Sequence, residues 1–188
     1  MGPARLMLVV VPLLLSLAGC ATAPSAPPPA ADAATATEYV FGTGDKLRLT
    51  VFNEPTLSGE FEVNSGGFIS VPLIGNIKAQ GETAHGLENA ITQKLAGGYM
   101  RDPRVNIEVL QYRPFYIIGE VSKPGEYPYR NGMNIMSAVA VAGGFTYRAN
   151  DSTVTIRRAG QTQEYSYPVT TTTMVLPGDI VRVGERLF

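Results

Sequence analysis

"GTGDKLRLTVF", Gly42 to Phe52, runs from a glycine-rich turn into strict alternation. Leu47, Leu49 and Val51 fall on one face of an extended segment, and Lys46, Arg48 and Thr50 on the other. That is the pattern of a half-buried strand. The same lettering returns near the other end, where Gly178-Asp179-Ile180-Val181-Arg182-Val183 echoes Gly44-Asp45-Lys46-Leu47-Arg48-Leu49. Each reads as a tight turn feeding a strand. Six residues are too few to establish a duplication.

Working outward from this strand, "GEFEVNSGGFISVPLIG" predicts two strands around a turn at Asn64 to Gly67. Leu87, Ile91 and Leu95 recur every four residues and predict a helix from about Thr83 to Ala96, stopped by Gly97-Gly98. Val105, Ile107 and Val109 alternate again after Asp102-Pro103. A first unit of strands, one helix and a strand is therefore expected over 38–112.

A second unit is expected over 113–188. "FYIIGEV" reads as a strand and "SKPGEY" as a turn. Asn134 is placed to cap a short helix, Ile135 to Ala142, that ends at Gly143-Gly144. "STVTIRR", Ala159-Gly160 and "TQEYSY" read as a hairpin, and "LPGDIVRV" as the last strand. One helix crossing a small twisted sheet is a β-grasp-like plan, although another small α+β sheet fits the same pattern. The fold class is α+β.

Before these units, Arg5 and the apolar run Leu6 to Leu17 lead to Leu17-Ala18-Gly19-Cys20. A basic start, about a dozen apolar residues and small residues at a cleavage point describe a secretory signal over 1–19. A membrane span needs roughly 20 apolar residues. Cys20 is the single cysteine of the chain. Small residues ending on a cysteine resemble the lipobox of bacterial lipoproteins, which makes Cys20 an acylated anchor. The alternative, a buried free thiol, puts it outside any plausible core. By the same resemblance, Ala21 and Thr22 do not read as an inner-membrane retention signal, so the periplasmic face of the outer membrane is expected. Pro24, Pro27, Pro28 and Pro29 then mark residues 20–37 as an extended tether reaching roughly 50 Å.

The 188 residues are 45% hydrophobic and 16% charged, with net charge −1, so the chain can bury a core and nucleic acid is not its expected partner. Chemistry is sparse. His85 is the sole histidine, which makes neither a catalytic triad nor a zinc site. Glu60 and Glu62 share a strand face, as a glycosidase pair or as a solvated edge. Gly143-Gly144 comes without a phosphate-loop lysine. Arg157-Arg158 can meet an acidic polymer; otherwise one faces solvent and the other pairs with a carboxylate. Tyr165 and Tyr167 share a face, as do Tyr127 and Tyr129, and flat rings cover sugar faces as well as filling ordinary sheets. Arg157, Arg158, Tyr165 and Tyr167 are the candidate polysaccharide contacts. No catalytic residue, metal or cofactor is expected.

Taken together, the turns carry a resemblance. Val63, Gly67, Ile69 and Pro72-Leu73-Ile74-Gly75, followed by Gly81-Glu82-Thr83 and Pro103-Arg104-Val105, resemble the polysaccharide export domain. Ile118 to Tyr127, "IGEVSKPGEY", with Ala142-Gly143-Gly144, Arg157, Pro177-Gly178-Asp179-Ile180, Val183, Glu185-Arg186 and Phe188 is similar to the β-grasp-like SLBB module. The family is that of the outer-membrane polysaccharide export lipoproteins, the Wza type. The resemblance implies a homo-oligomeric ring passing capsule or exopolysaccharide, an inner-membrane polysaccharide copolymerase partner with a tyrosine kinase, and no catalysis. Gly66 departs from the aspartate of the family motif, and a looser turn is expected there. Four residues after Gly184 do not span a core about 30 Å thick. The short class is therefore expected, similar to the xanthan-type export lipoprotein and served by a separate outer-membrane barrel. Two other readings are a monomeric glycan-binding periplasmic lipoprotein and a glycan-modifying enzyme; the latter lacks convergent acid and base groups.

Overall fold

The computed structural model describes residues 38–186. Two hydrophobic cores form along it. One draws on buried side chains from Phe41 to Ile107, the other on side chains from Phe115 to Val183. The fold is α+β.

The first core grows from β1 (Lys46–Val51), whose Leu47, Leu49 and Val51 are fully buried as the alternation requires. It is the middle strand of an antiparallel sheet, between β2 (Gly59–Glu62) and β5 (Val105–Gln111). On its outer face Lys46 and Arg48 pair with Glu62 and Glu60 across β2, at 3.9 and 3.0 Å. Those carboxylates thus neutralise a strand face and do not converge on one point. Helix α1 (Ala84–Ala96) packs Leu87, Ile91 and Leu95 inward, and the Thr83 hydroxyl accepts from the Gly86 amide at 3.1 Å to cap it. A hairpin of β3 (Phe68–Val71) and β4 (Gly75–Lys78) completes the unit.

Strand β4 was not expected from the pattern. Only Ile77 of its four residues is buried, so it shows no alternation. In the turn before β3, Asn64 Oδ1 accepts from the amides of Gly66 and Phe68. The left-handed residue there is Gly67, at φ 84°, so the departure at Gly66 places no strain on the turn.

The second core lies under a five-stranded sheet in the order β7-β6-β10-β8-β9. Its strands are β6 (Phe115–Gly119), β7 (Gly125–Tyr127), β8 (Thr153–Arg157), β9 (Glu164–Pro168) and β10 (Ile180–Val183). The unit's first and last strands, β6 and β10, run parallel side by side in the middle, and the other pairs are antiparallel. That arrangement, with α2 (Ile135–Val141) between the two hairpins in sequence, is the β-grasp plan. Asn134 caps α2 by accepting from the Ser137 amide, and Gly143 and Gly144, both left-handed, end it.

Candidate functional site at the domain junction and the open sheet face

The echoed Gly-Asp segments prove to be one structural device used twice. In each, an aspartate amide donates to the carbonyl three residues back: Asp45 to Gly42 at 3.2 Å and Asp179 to Leu176 at 3.1 Å. Between them sits a left-handed glycine, Gly44 at φ 88° and Gly178 at φ 81°, the signature of a type II turn. Each aspartate is fully buried and accepts from that same residue's amide, Gly42 at 2.6 Å and Leu176 at 2.7 Å. Each also meets an arginine, Asp45 with Arg113 and Asp179 with Arg158.

Arg113 lies between the two turns and joins the two cores. Its amide donates to Asp45 Oδ1 at 2.7 Å and its Nη1 to Asp45 Oδ2 at 3.0 Å. Nη1 also reaches the Tyr39 hydroxyl at 3.0 Å, while Nε donates to the Pro177 carbonyl at 3.1 Å. The Gly178 amide donates to the Pro114 carbonyl at 3.0 Å. Glycine lets the guanidinium pack closely against the backbone on both sides. A Cβ on Gly42 would lie 2.2 Å from Nη1, and one on Gly178 2.8 Å from Nε. Beside this clamp, Tyr39, Tyr112 and Tyr129 stack edge to face at 4.8 and 5.3 Å, so Tyr39 of the first unit connects to a ring packed on the second core.

Burial, with the hydrogen bond it donates to Asp45, pushes the Tyr39 hydroxyl well above the ordinary 10.0. Burial raises Tyr129 as well. Because the folded chain holds these protons more tightly than the unfolded chain, their contribution is complete below pH 10 and is lost as pH rises above it. The urea midpoint is expected to stay flat from about pH 8 to 9.5 and to fall steeply above about pH 10. In Tyr39→Phe that fall is shallower. An identical alkaline slope in wild type and variant would contradict the assignment.

Among the described residues the sheet of the second unit has one uncovered face. Cross-strand pairing sets Glu126, Tyr116, Ile180, Arg157 and Glu164 in one row, with Ile118, Arg182, Thr155 and Ser166 in the next. Tyr116 is 39% exposed, and Ile118 and Ile180 are half-buried, so an apolar strip runs between charged flanks. The Glu126 carboxylate across the β6–β7 pairing raises the Tyr116 pKa. Arg182 lies 3.5 Å from Glu164.

The four candidate contacts divide between the faces. Arg157 stands on the open face. Arg158, 9% exposed, turns inward to pair with Asp179, donates to the Met174 carbonyl at 3.1 Å, and lies 5.2 Å from the Tyr167 ring centroid. Tyr167 is 5% exposed within the core, and half-buried Tyr165 shares its face. Arg158 and Tyr167 therefore brace the fold and do not offer their side chains to a polymer. One arginine outward and one on a carboxylate is the arrangement found. Tyr116 and Arg182 complete the open face without having been singled out. Their signal was "FYIIG", where Tyr116 and Ile118 are apolar at positions that alternation sends outward.

The His85 side chain is 76% exposed beside Glu88, whose other oxygen accepts from the Ile107 amide. Among the described residues no cluster of three or more ligands is placed to hold a metal, and no helix is long and apolar enough to cross a membrane. Cys20 and the tether of 20–37 lie outside the described residues.

A β-grasp module clamped behind another α+β module defines a two-domain architecture, and comparison with known proteins finds a match for each. Residues 33–110 match the polysaccharide biosynthesis/export protein family, and residues 114–170 match the SLBB domain. The chain thus carries a segment that matches the polysaccharide biosynthesis/export domain, followed by one that matches the SLBB domain. It is 38% identical over 128 residues to the exopolysaccharide production protein ExoF of Rhizobium meliloti strain 1021, covering 61% of this chain and 30% of that one. It is 30% identical over 187 aligned positions to the EPS I polysaccharide export outer membrane protein EpsA of Ralstonia solanacearum, covering 81% and 49%. The polysialic acid transport protein KpsD of Escherichia coli is 27% identical over 109 residues, covering 57% and 20%. The chain spans about half the length of these relatives or less.

Proposed function

We propose that this chain is a component of a capsule or exopolysaccharide export machine, anchored through lipid on Cys20 to the periplasmic face of the outer membrane. Its protomers close into a homo-oligomeric ring. The ring receives polymer from an inner-membrane polysaccharide copolymerase with its tyrosine kinase and passes it toward an outer-membrane β-barrel. It holds a passage open and makes or breaks no covalent bond. The domain boundaries of this proposal are 1–19 for the signal, 20–37 for the anchored linker, 38–112 for the export domain and 113–188 for the SLBB domain.

The observation that carries this reading is the pairing of the two domain types, in this order, across the Arg113 clamp. A ring of fixed size closes only if each protomer presents its two faces at a constant angle. The clamp supplies that constancy within the protomer. The names of the relatives concern production, export or transport of polysaccharide, which supports the cargo.

The mass of the purified full chain in mild detergent tests the ring against its main rival. The expected mass is a defined multiple of the protomer. A monomer that binds purified polymer saturably would instead favour a glycan-binding lipoprotein. Cys20→Ala is expected to move the protein from the membrane fraction to the soluble periplasm.

A further inference from the structure

We propose that the pocket between the β7–α2 connector and α2 binds one carboxylate-bearing sugar residue of the polymer. The proposal rests on the polysaccharide-export reading above and assigns it a site.

The connector builds the pocket in a few residues. After β7 the chain turns at Arg130-Asn131-Gly132-Met133, with the Met133 amide donating to the Arg130 carbonyl at 3.1 Å and Gly132 left-handed at φ 77°. Arg130 and Asn131 of this turn are exposed and line the pocket. Tyr127 forms one wall, its hydroxyl donating to the Lys123 carbonyl at 2.6 Å. Ser137 and Val141, four residues apart on α2 and so on one helix face, complete the lining with Met133. The cavity measures about 440 Å³, within the roughly 300–1,000 Å³ usual for small-molecule sites.

The lining is mostly apolar and carries one kind of charge. Among the described residues Arg130 is its single cation and no acidic side chain borders it. Among the described residues the Arg130, Asn131 and Ser137 side chains form no hydrogen bond or ion pair with protein. Three polar side chains without protein partners therefore border a mostly apolar lining that includes an aromatic residue. Sugar rings have apolar C–H faces and hydroxyl rims, and a guanidinium matches a carboxylate in a bidentate fork. A uronic acid or a pyruvate-ketal sugar satisfies each of these groups. The open sheet face offers Arg157 and Arg182 as well, but Arg182 is already beside Glu164, and two further carboxylates or hydroxyls, Glu126 and Tyr116, occupy that surface.

Calorimetry on the purified full chain in detergent tests this, with tetragalacturonate as the acidic probe and maltotetraose as the neutral one. Tetragalacturonate is expected to bind, and Arg130→Gln to weaken it about tenfold with no change in melting temperature. Arg130→Lys should recover part of the loss. Lys78→Gln, on β4 and away from both the pocket and the open sheet face, should leave binding unchanged. Absent binding by the wild type, equal binding of maltotetraose, or loss in Arg157→Gln/Arg182→Gln and not in Arg130→Gln would each overturn the proposal. Export by a deletion strain, measured in parallel, separates the two readings. Lost export with no binding removes the pocket and leaves the function, whereas unchanged export removes the function even where the pocket binds.

Discussion

Asp45→Ala is expected to destabilise the chain by about 3–5 kcal/mol. Asp45 is fully buried and accepts from the amides of Gly42 and Arg113, from the Arg113 guanidinium and from the Tyr39 hydroxyl. Deleting the carboxylate leaves four donors without their acceptor and the Arg113 charge without its partner in a mostly buried place. Breaking a buried pair from one side is the costly way to break it. The damage also falls on the joint between the cores, because Arg113 reaches the Pro177 turn from the same guanidinium. Urea denaturation should show a lower midpoint and a transition that broadens or splits as the export domain loses its coupling to the SLBB domain. Asp45→Asn, which keeps the shape and one acceptor, should fall between. A change under about 1 kcal/mol in Asp45→Ala, near the net worth of one ordinary hydrogen bond, would contradict the role assigned to the clamp.

Gly119→Ala should be nearly as damaging, through backbone and not charge. Gly119 ends β6 at φ 89°, paired with Val183 in the central parallel ladder. A Cβ there would lie 2.1 Å from the Val183 carbonyl oxygen and 3.1 Å from its carbon. Both atoms belong to the backbone of β10, so relief requires the two middle strands to part. The left-handed conformation costs about 1–2 kcal/mol for a residue with a Cβ, and overpacking adds about 1–3 kcal/mol. The sum is about 2–5 kcal/mol of lost stability in the SLBB domain. Gly125→Ala is the matched control. Its Cβ would meet nothing within 4 Å and its φ is not left-handed. The control should change the midpoint little, and equal effects at the two glycines would refute the steric account.

What was legible in the sequence was what is local. The alternation of β1 and the four-residue spacing of α1 need no distant partner to be read. Asn134 announces its helix because a cap acts within three residues. Strand β4 escaped because a four-residue strand with one buried side chain has no period to detect. The parallel pairing of β6 with β10 joins segments about 60 residues apart, and pattern carries no information on such pairing. The same distance hid the clamp, since Arg113 and Asp45 are 68 positions apart. Arg157 and Arg158 illustrate the limit most clearly. Adjacent and chemically alike, they are separated by the sheet itself. Asp179, 21 residues on, takes the inward one. The Gly-Asp echo was visible as letters, yet its meaning as one buried-carboxylate turn used twice required the hydrogen bonds.

Export itself is the central claim, and it is tested in cells. Delete the gene and quantify polysaccharide at the surface and in the medium against polymer retained in the periplasm. Restore separately with the intact gene and with Asp45→Ala. The account predicts loss outside with accumulation inside, recovery with the intact gene, and poor recovery with the variant. Unchanged surface and secreted polymer in the deletion strain would contradict it.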